Sequence, residues 1–176
     1  MPSKAQFHIP DDPFSVARSE FEQMVGWLGG DDVPQSAADI ERAISVRGRK
    51  VLLELVQARF DVLYLRERVE LARTGVPEGV EVRARKRHLE TEFGRARLWR
   101  HGWKRPSERA RFALDEQLNL PKQLYSHPLR QRAADEARTG AWDQAVQRID
   151  RSTGGHVPKR QAEEQTTEAA QDFEAF

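Results

Sequence analysis

Apolar residues recur every three or four positions through the first part of the chain. This is the period of one face of an α-helix. It predicts helices over residues 14–28, 37–46 and 49–73, with Ser36 capping the second and Gly48 separating it from the third. The third helix can pack against the first two in an intramolecular bundle. It can also pack against a second copy of itself, because spacings near 3.5 residues suit a coiled coil.

The period changes to two after residues 74–79, a segment whose two glycines and one proline mark a boundary. From Val80 onwards apolar and charged residues alternate, which is typical of strands with one buried and one solvated face. The alternation predicts a small antiparallel sheet of two or three strands, with a bend or bulge at Gly94.

Three short helices are predicted towards the carboxyl terminus. Ser126 is a suitable N-cap for the first, and Gly140 supplies the left-handed residue that ends it. The second has apolar residues at i, i+3, i+4 and i+7 and closes at Gly154 and Gly155. Pro158 then opens the third, where its fixed φ helps and its missing N–H costs nothing. The apolar residues of the second helix are Trp142, Ala145, Val146 and Ile149.

Two helices joined by a glycine-containing turn, the second beginning with long cationic and amide side chains, are typical of a helix-turn-helix. The second helix of that motif enters the major groove, where Arg and Lys suit guanine and Gln suits adenine. Lys159, Arg160, Gln161 and nearby Gln165 are therefore candidate DNA contacts. A small helical bundle has the same pattern, and the acidic residues of the third helix would repel phosphate, so this second interpretation stays open.

The sequence thus predicts a mainly α protein with a small antiparallel β-ribbon. An N-terminal helical bundle occupies residues 1–73, a basic β-ribbon residues 80–105, and a three-helix helix-turn-helix module residues 118–176. Tyr125 is expected to pack beneath this module rather than to contact a base.

The net charge of +1 conceals an uneven distribution. Residues 1–82 have 10 basic and 14 acidic side chains, residues 83–111 have 11 and 3, and residues 112–176 have 8 and 11. The basic excess falls on the predicted ribbon. A basic face there can contact DNA phosphates, which adds affinity without sequence preference, or it can keep a sheet edge soluble. We expect one solvated face to hold Arg83, Arg85, Arg87, Arg95, Arg97, Arg100, Lys104 and Arg105.

Several motifs near the carboxyl terminus carry a family resemblance. They are the leucine-proline entry at 118–121, the YSH step at 125–127, the aromatic helix start at 142–146, the TGGHVPKRQ turn at 153–161 and the AAQDFEAF ending. With these motifs the chain resembles the helix-turn-helix region of bacterial ISKra-type (Kra-four family) insertion-sequence transposases. The resemblance implies that this region recognises the ends of the element during DNA transposition and recombination.

The same resemblance implies that the helix presented to DNA includes Lys159, Arg160 and Gln161. One departure is Ala141, which stands where a capping Ser or Thr is expected, a loss of about 1 kcal/mol of helix stability. In the family a ribonuclease-H-like catalytic domain, with three acidic residues holding divalent metal, follows this region. We expect this chain to be a truncated form without that domain and therefore not to cut or join DNA by itself.

The remaining chemistry is sparse. There is no cysteine, and none of the five histidines has a metal-ligand spacing. A GxSxG motif, a glycine-rich phosphate loop and a dinucleotide fingerprint are also missing. We therefore expect no cofactor, no bound metal, no catalytic residue and no small-molecule substrate.

No apolar run approaches the roughly 18 to 20 residues that span a bilayer, and the first thirty residues do not have the pattern of a signal peptide. We expect a cytoplasmic protein without a membrane partner. The expected partners are double-stranded DNA and a second copy of the chain in a homodimer. The alternative function is self-association through the helix over residues 49–73, with no DNA binding.

Overall fold

A computed structural model describes residues 9, 11–34, 36–138 and 141–174. The side chains of residues 165 and 168–174 lie outside this description. Within it the protein is mainly helical, with one two-stranded antiparallel sheet, which confirms the predicted fold class. The elements in chain order are α1 (Ser15–Leu28), α2 (Ala37–Thr74), β1 (Glu81–Thr91), β2 (Gly94–Lys104), α3 (Ala113–Gln117), α4 (His127–Ala137), α5 (Trp142–Ser152) and α6 (Lys159–Glu174).

The chain divides into two compact units. The amino-terminal unit ends at Thr74, and the carboxyl-terminal unit begins at Gly75. The β-ribbon and the last four helices therefore belong to one unit. No helix in the described ranges is long and apolar enough to cross a membrane.

The amino-terminal unit is an antiparallel helical hairpin. Glu20 pairs with Lys50 at 2.7 Å, and the guanidinium of Arg47 lies 4.3 Å from the centroid of the Trp27 ring. The prediction that Gly48 separates two helices is wrong, because α2 is a single helix of 38 residues that includes Gly48. A glycine inside a helix costs about 1 kcal/mol relative to alanine, and this is too little to interrupt a helix that continues favourably on both sides.

The N-cap predicted at Ser36 is confirmed. The backbone N–H of Asp39 donates to Ser36 Oγ at 3.1 Å, so one of the free amides at the start of α2 has a partner. Ser126 similarly caps α4, where its Oγ accepts from Leu129 N at 3.4 Å. The predicted end of α4 at Gly140 lies outside the described residues.

The ribbon consists of two strands joined by a two-residue loop. Thr91 pairs with Gly94, and the ladder continues to Glu81 opposite Lys104. Gly94 has φ +133°, a conformation that residues with a side chain rarely adopt. The hydroxyl of Thr91 closes the loop by donating to Gly94 O at 2.7 Å and accepting from Phe93 N at 3.2 Å. A third strand is not seen in the described part of the chain, and Gly94 belongs to a tight turn.

The core of the carboxyl-terminal unit lies among α4, α5 and α6. As predicted, the apolar side of α5 faces inward, with Ala145 and Ile149 fully buried and Trp142 partly buried. Tyr125 is 5% exposed and packs under the helices, as expected. Burial raises the pKa of its phenol, and the nearby Glu90 carboxylate acts in the same direction. The buried side chains of this core are Tyr125, Leu129, Ala133, Ile149, Val157 and Ala162.

The turn of the ribbon docks on the connector between α5 and α6. Gly154 N donates to Glu92 O at 2.6 Å. A Cβ at Gly154 would lie 2.3 Å from Phe93 O, and one at Gly155 would lie 2.6 Å from Thr91 O. Only glycine allows the two backbones to approach this closely. The glycines predicted to close a helix therefore also join the ribbon to the helical core.

Candidate nucleic-acid interface

The start of α6 holds three of the predicted DNA contacts. Val157 and Ala162 are both 0% exposed and fix this part of the chain against the core. The carbonyl of Pro158 accepts the first helical hydrogen bond from Ala162 N at 3.0 Å. Because the buried residues face inward, the side chains of Lys159 and Arg160 point outward and are 50% and 86% exposed.

These cations lie beside protein acids. Lys159 Nζ is 3.1 Å from Asp143 Oδ2, and Arg160 Nε is 2.9 Å from Glu164 Oε1. Gln161 Nε2 also donates to Glu164, at 3.2 Å. Exposed ion pairs of this kind contribute at most about 1 kcal/mol, so a DNA phosphate can replace the carboxylate at small cost. The side chain of Gln165 lies outside the described residues.

The connector between α5 and α6 is longer than the turn of a typical helix-turn-helix. It comprises the six residues from Thr153 to Pro158, compared with the usual three or four. Thr153 stabilises it: its Oγ1 bonds to Ile149 O at 2.9 Å and accepts from Gly155 N at 3.2 Å. The three helices therefore form a helix-turn-helix-like arrangement with an extended and internally bonded turn.

The prediction that the ribbon's basic residues share one face is wrong. Residues directly opposite in an antiparallel ladder point to the same face. Arg95 lies opposite Glu90 and Arg97 opposite His88, whereas Arg100 lies opposite Arg85. Arg97 and Arg100 are separated by an odd number of positions in one strand, so their side chains lie on opposite faces.

Arg100 also lacks the exposure that a phosphate contact requires. Its side chain is 11% exposed, its Nε lies 2.7 Å from Asp115 Oδ1, and its guanidinium lies 4.0 Å from the centroid of the Phe112 ring. Arg87 reaches the same carboxylate at 3.2 Å and bonds to Gln123 O at 2.6 Å. These two arginines join the ribbon to α3, and neither is exposed enough to reach a phosphate.

Arg95 and Arg97, the other two predicted ribbon contacts, differ in exposure. The side chain of Arg95 is 64% exposed and its Nε lies 2.5 Å from Glu90, a carboxylate that is itself only 9% exposed. Arg97 is partly buried. Arg95 therefore stays a candidate contact beside the ribbon turn, with part of its charge neutralised by Glu90, and Arg97 is a weaker one.

The exposed positive charge is concentrated at the opposite end of the ribbon, which we call the basic ribbon end. A bridge joins it to the following segment, since Trp103 N and O bond to Arg111 O and N, each at 2.9 Å. Within residues 81–86 and 104–111 the acids are Glu81, which pairs with Arg83, and Glu108. Glu116, just beyond these stretches, lies 3.6 Å from Arg111. The exposed basic residues are Arg83, Arg85, Lys86, Lys104, Arg105, Arg109 and Arg111.

Three of these cations were not singled out from the sequence. Strict alternation assigns Lys86 to the buried face, but β1 is exposed over most of its first half, so Lys86 reaches solvent. Arg109 and Arg111 follow the strands and depend on the Trp103 bridge for their position. The only sequence signal for these two arginines is that they belong to the strongly basic segment 83–111.

No group of three or more His, Asp or Glu side chains among the described residues has a geometry that could hold a metal ion. No protein-family model matches the chain, and no curated protein is detectably similar to it.

Proposed function

We propose that this protein binds double-stranded DNA through the carboxyl-terminal unit. The basic ribbon end carries this proposal, because it exposes seven cations against two acids within the same stretches. Such a surface attracts the phosphate backbone and releases its counterions, and this supplies affinity at any sequence. It also compensates for residues 112–176, whose net charge of −3 (8 basic and 11 acidic residues) would not attract DNA alone.

The outward turn of α6 is the proposed base-reading element. Lys159, Arg160 and Gln161 have the donor groups that suit guanine and adenine edges in the major groove. The ribbon turn docks beside the connector that precedes them, and the ladder extends ten residues beyond that turn. At about 3.3 Å per residue the far tip of the ribbon lies about 33 Å along the strands from the turn, and Lys86 lies about 17 Å from it. Both distances are within about one helical repeat of B-DNA, so a single duplex is long enough to reach both sites.

The resemblance to ISKra-type transposases suggests which DNA the protein binds. We propose that the DNA is the end of an insertion sequence, bound in the bacterial cytoplasm as part of DNA transposition. The resemblance covers the residues of the α5–α6 connector and the start of α6, where the candidate contacts lie.

The first experiment measures binding of the full chain to a fluorescent duplex by anisotropy across a salt series. Affinity should fall steeply as salt rises. The triple variant Arg83→Ala, Lys104→Ala, Arg105→Ala should bind more weakly to all duplexes. It should also reduce the log–log salt slope by roughly 2 to 3, about 0.9 for each phosphate that is no longer neutralised. Arg73→Ala, an exposed arginine in the amino-terminal unit, is the matched control and should leave the slope unchanged.

A second experiment tests base reading by selection from a pool of random duplexes. The unchanged protein should enrich a shared sequence. The variant Lys159→Ala, Arg160→Ala should lose this enrichment but keep its salt-dependent binding. Asp143→Asn should strengthen binding because it releases Lys159 and removes a negative charge. Absence of duplex binding at low salt would refute the proposal, and enrichment unaffected by the α6 variant would refute its assignment to α6.

A further inference from the structure

The amino-terminal hairpin leaves apolar stripes exposed on both of its helices. On α1 the stripe contains Phe21, Val25 and Leu28, which are 52%, 50% and 39% exposed. On α2 it contains Ile44, Leu52 and Leu55, which are 37%, 42% and 41% exposed. Each set follows the three-and-four spacing of a single helix face. We call these six residues the hairpin stripe.

The two halves of the hairpin stripe lie on the same side of the hairpin. The side of α1 that faces α2 includes Ala17, Glu20 and Trp27. Around the axis of α1, the stripe lies about 90° from this side, in the sense in which the helix turns from its amino to its carboxyl end. On α2 the stripe is displaced from Arg47 and Lys50 in the same rotational sense. Because the helices are antiparallel, equal rotations bring both stripes to one side, where they form a continuous apolar surface.

We infer that this surface binds a second copy of the same chain. The two α2 helices are antiparallel, and the two-fold axis crosses the stripe side of α2 at the level of residue 50. The positions that face one another in such a pair have sequence numbers that add up to about 100. Ile44 then lies opposite Leu55 of the second copy, and Gly48 opposite Leu52. A two-fold interface requires this self-complementarity.

Charge supports the same register. Glu41 and Arg59 are exposed and continue the spacing of the stripe at its two ends. Their numbers also add up to 100, so Glu41 of each copy faces Arg59 of the other. The span from Glu41 to Arg59 is 18 residues, or about 27 Å of helix at 1.5 Å per residue. Two hairpins joined in this way form a four-helix bundle with α1 packed beside α2.

Gly48 gains a structural role in this arrangement. It interrupts a run of larger residues in the middle of α2, and a Cβ added to it would meet nothing within 4 Å in its own chain. The hairpin itself therefore gives no steric reason for glycine. A second helix that packs across Gly48 does require it, because a small residue lets two backbones approach and accommodates Leu52 of the second copy.

The inference is tested by light scattering on the full chain after size-exclusion chromatography, over a concentration series without DNA. We expect a dimer, weakened about a hundredfold or more by Leu52→Glu, because this change places a charge in the apolar contact. Val46→Glu is the matched control. Val46 is 60% exposed and lies on the opposite side of α2, so this variant should stay dimeric.

Two further variants keep the test independent of misfolding. Gly48→Leu should weaken the dimer at least tenfold while circular dichroism shows equal or greater helicity. Glu41→Arg should weaken it, and the exchange Glu41→Arg, Arg59→Glu should restore it. A chain that stays monomeric up to about 100 µM, which would detect a micromolar Kd, overturns the inference. A dimer insensitive to Leu52→Glu and Gly48→Leu does so as well. None of these outcomes bears on the proposed DNA binding.

Discussion

The two units of this protein bury their apolar residues to different extents. In the carboxyl-terminal unit Leu98, Leu129 and Ile149 are all 0% exposed. In the amino-terminal hairpin Phe21 and Leu52 keep 52% and 42% of their surface in water. Three helices and a docked ribbon enclose a core in the carboxyl-terminal unit, whereas the 14-residue α1 can cover only part of the 38-residue α2. The carboxyl-terminal unit therefore encloses its apolar residues, and the hairpin leaves part of its apolar surface exposed.

The largest expected effect tests the junction that completes the carboxyl-terminal unit. Gly154→Val should destabilise this unit by more than about 4 kcal/mol, because its Cβ would lie 2.3 Å from the backbone oxygen of Phe93 and neither backbone can move freely. Hydrogen exchange should show faster exchange throughout the ribbon and α4 to α6. Gly26→Ala is the matched control in α1, where an added Cβ meets nothing within 4 Å. It should stabilise its helix by up to about 1 kcal/mol. Equal tolerance of both changes would show that the ribbon does not need its close approach.

Periodicity was sufficient to predict most of the fold. The alternation after Val80 identified the strands, and the three-and-four spacing around Ile149 identified the inward side of α5. Gly48 shows where local residue type is insufficient to predict a helix end, because the free-energy cost of one glycine is small compared with the stability of a long helix. Composition could not determine the strand register, which is set by the turn at Gly94.

The candidate site was less predictable than the fold. The sequence predicted that the start of α6 is exposed. It did not predict that Lys159 and Arg160 lie beside Asp143 and Glu164. Alternation alone also placed Arg100 in solvent, whereas Asp115, fifteen positions further along the chain, draws it into a packed cluster with Arg87. Such long-range pairing depends on how α3 folds back on the ribbon, and no local pattern contains that information.

One substitution made in both units compares their packing directly. Leu129→Ala should cost about 2 to 5 kcal/mol, since it leaves a cavity at a position with 0% exposure. Leu52→Ala should cost less than about 1 kcal/mol in dilute, monomeric protein, because Leu52 is already 42% exposed. Denaturant unfolding followed with unit-specific hydrogen exchange measures both values.

Concentration sharpens this comparison. If a second copy covers the hairpin stripe, the cost of Leu52→Ala should grow as the protein concentration rises, whereas that of Leu129→Ala should not. A large cost of Leu52→Ala in dilute protein would contradict the contrast, because Leu52 would then be buried within its own chain.

The smallest expected effect concerns the serine caps, of which each unit has one. Ser126 accepts from Leu129 N through its side chain, and its own backbone N–H donates to Glu90 O at 2.8 Å. Loss of this cap strains a residue that is tied to the ribbon, so Ser126→Ala should cost about 1 kcal/mol of global stability. Ser36 caps a helix end that can fray without breaking the hairpin, so Ser36→Ala should cost only a few tenths of a kcal/mol globally and should instead speed amide exchange in the first turn of α2. A larger global cost at Ser36 than at Ser126 would mean that the start of α2 is fixed as firmly as the closed core, and the contrast between the two units would fail at its ends.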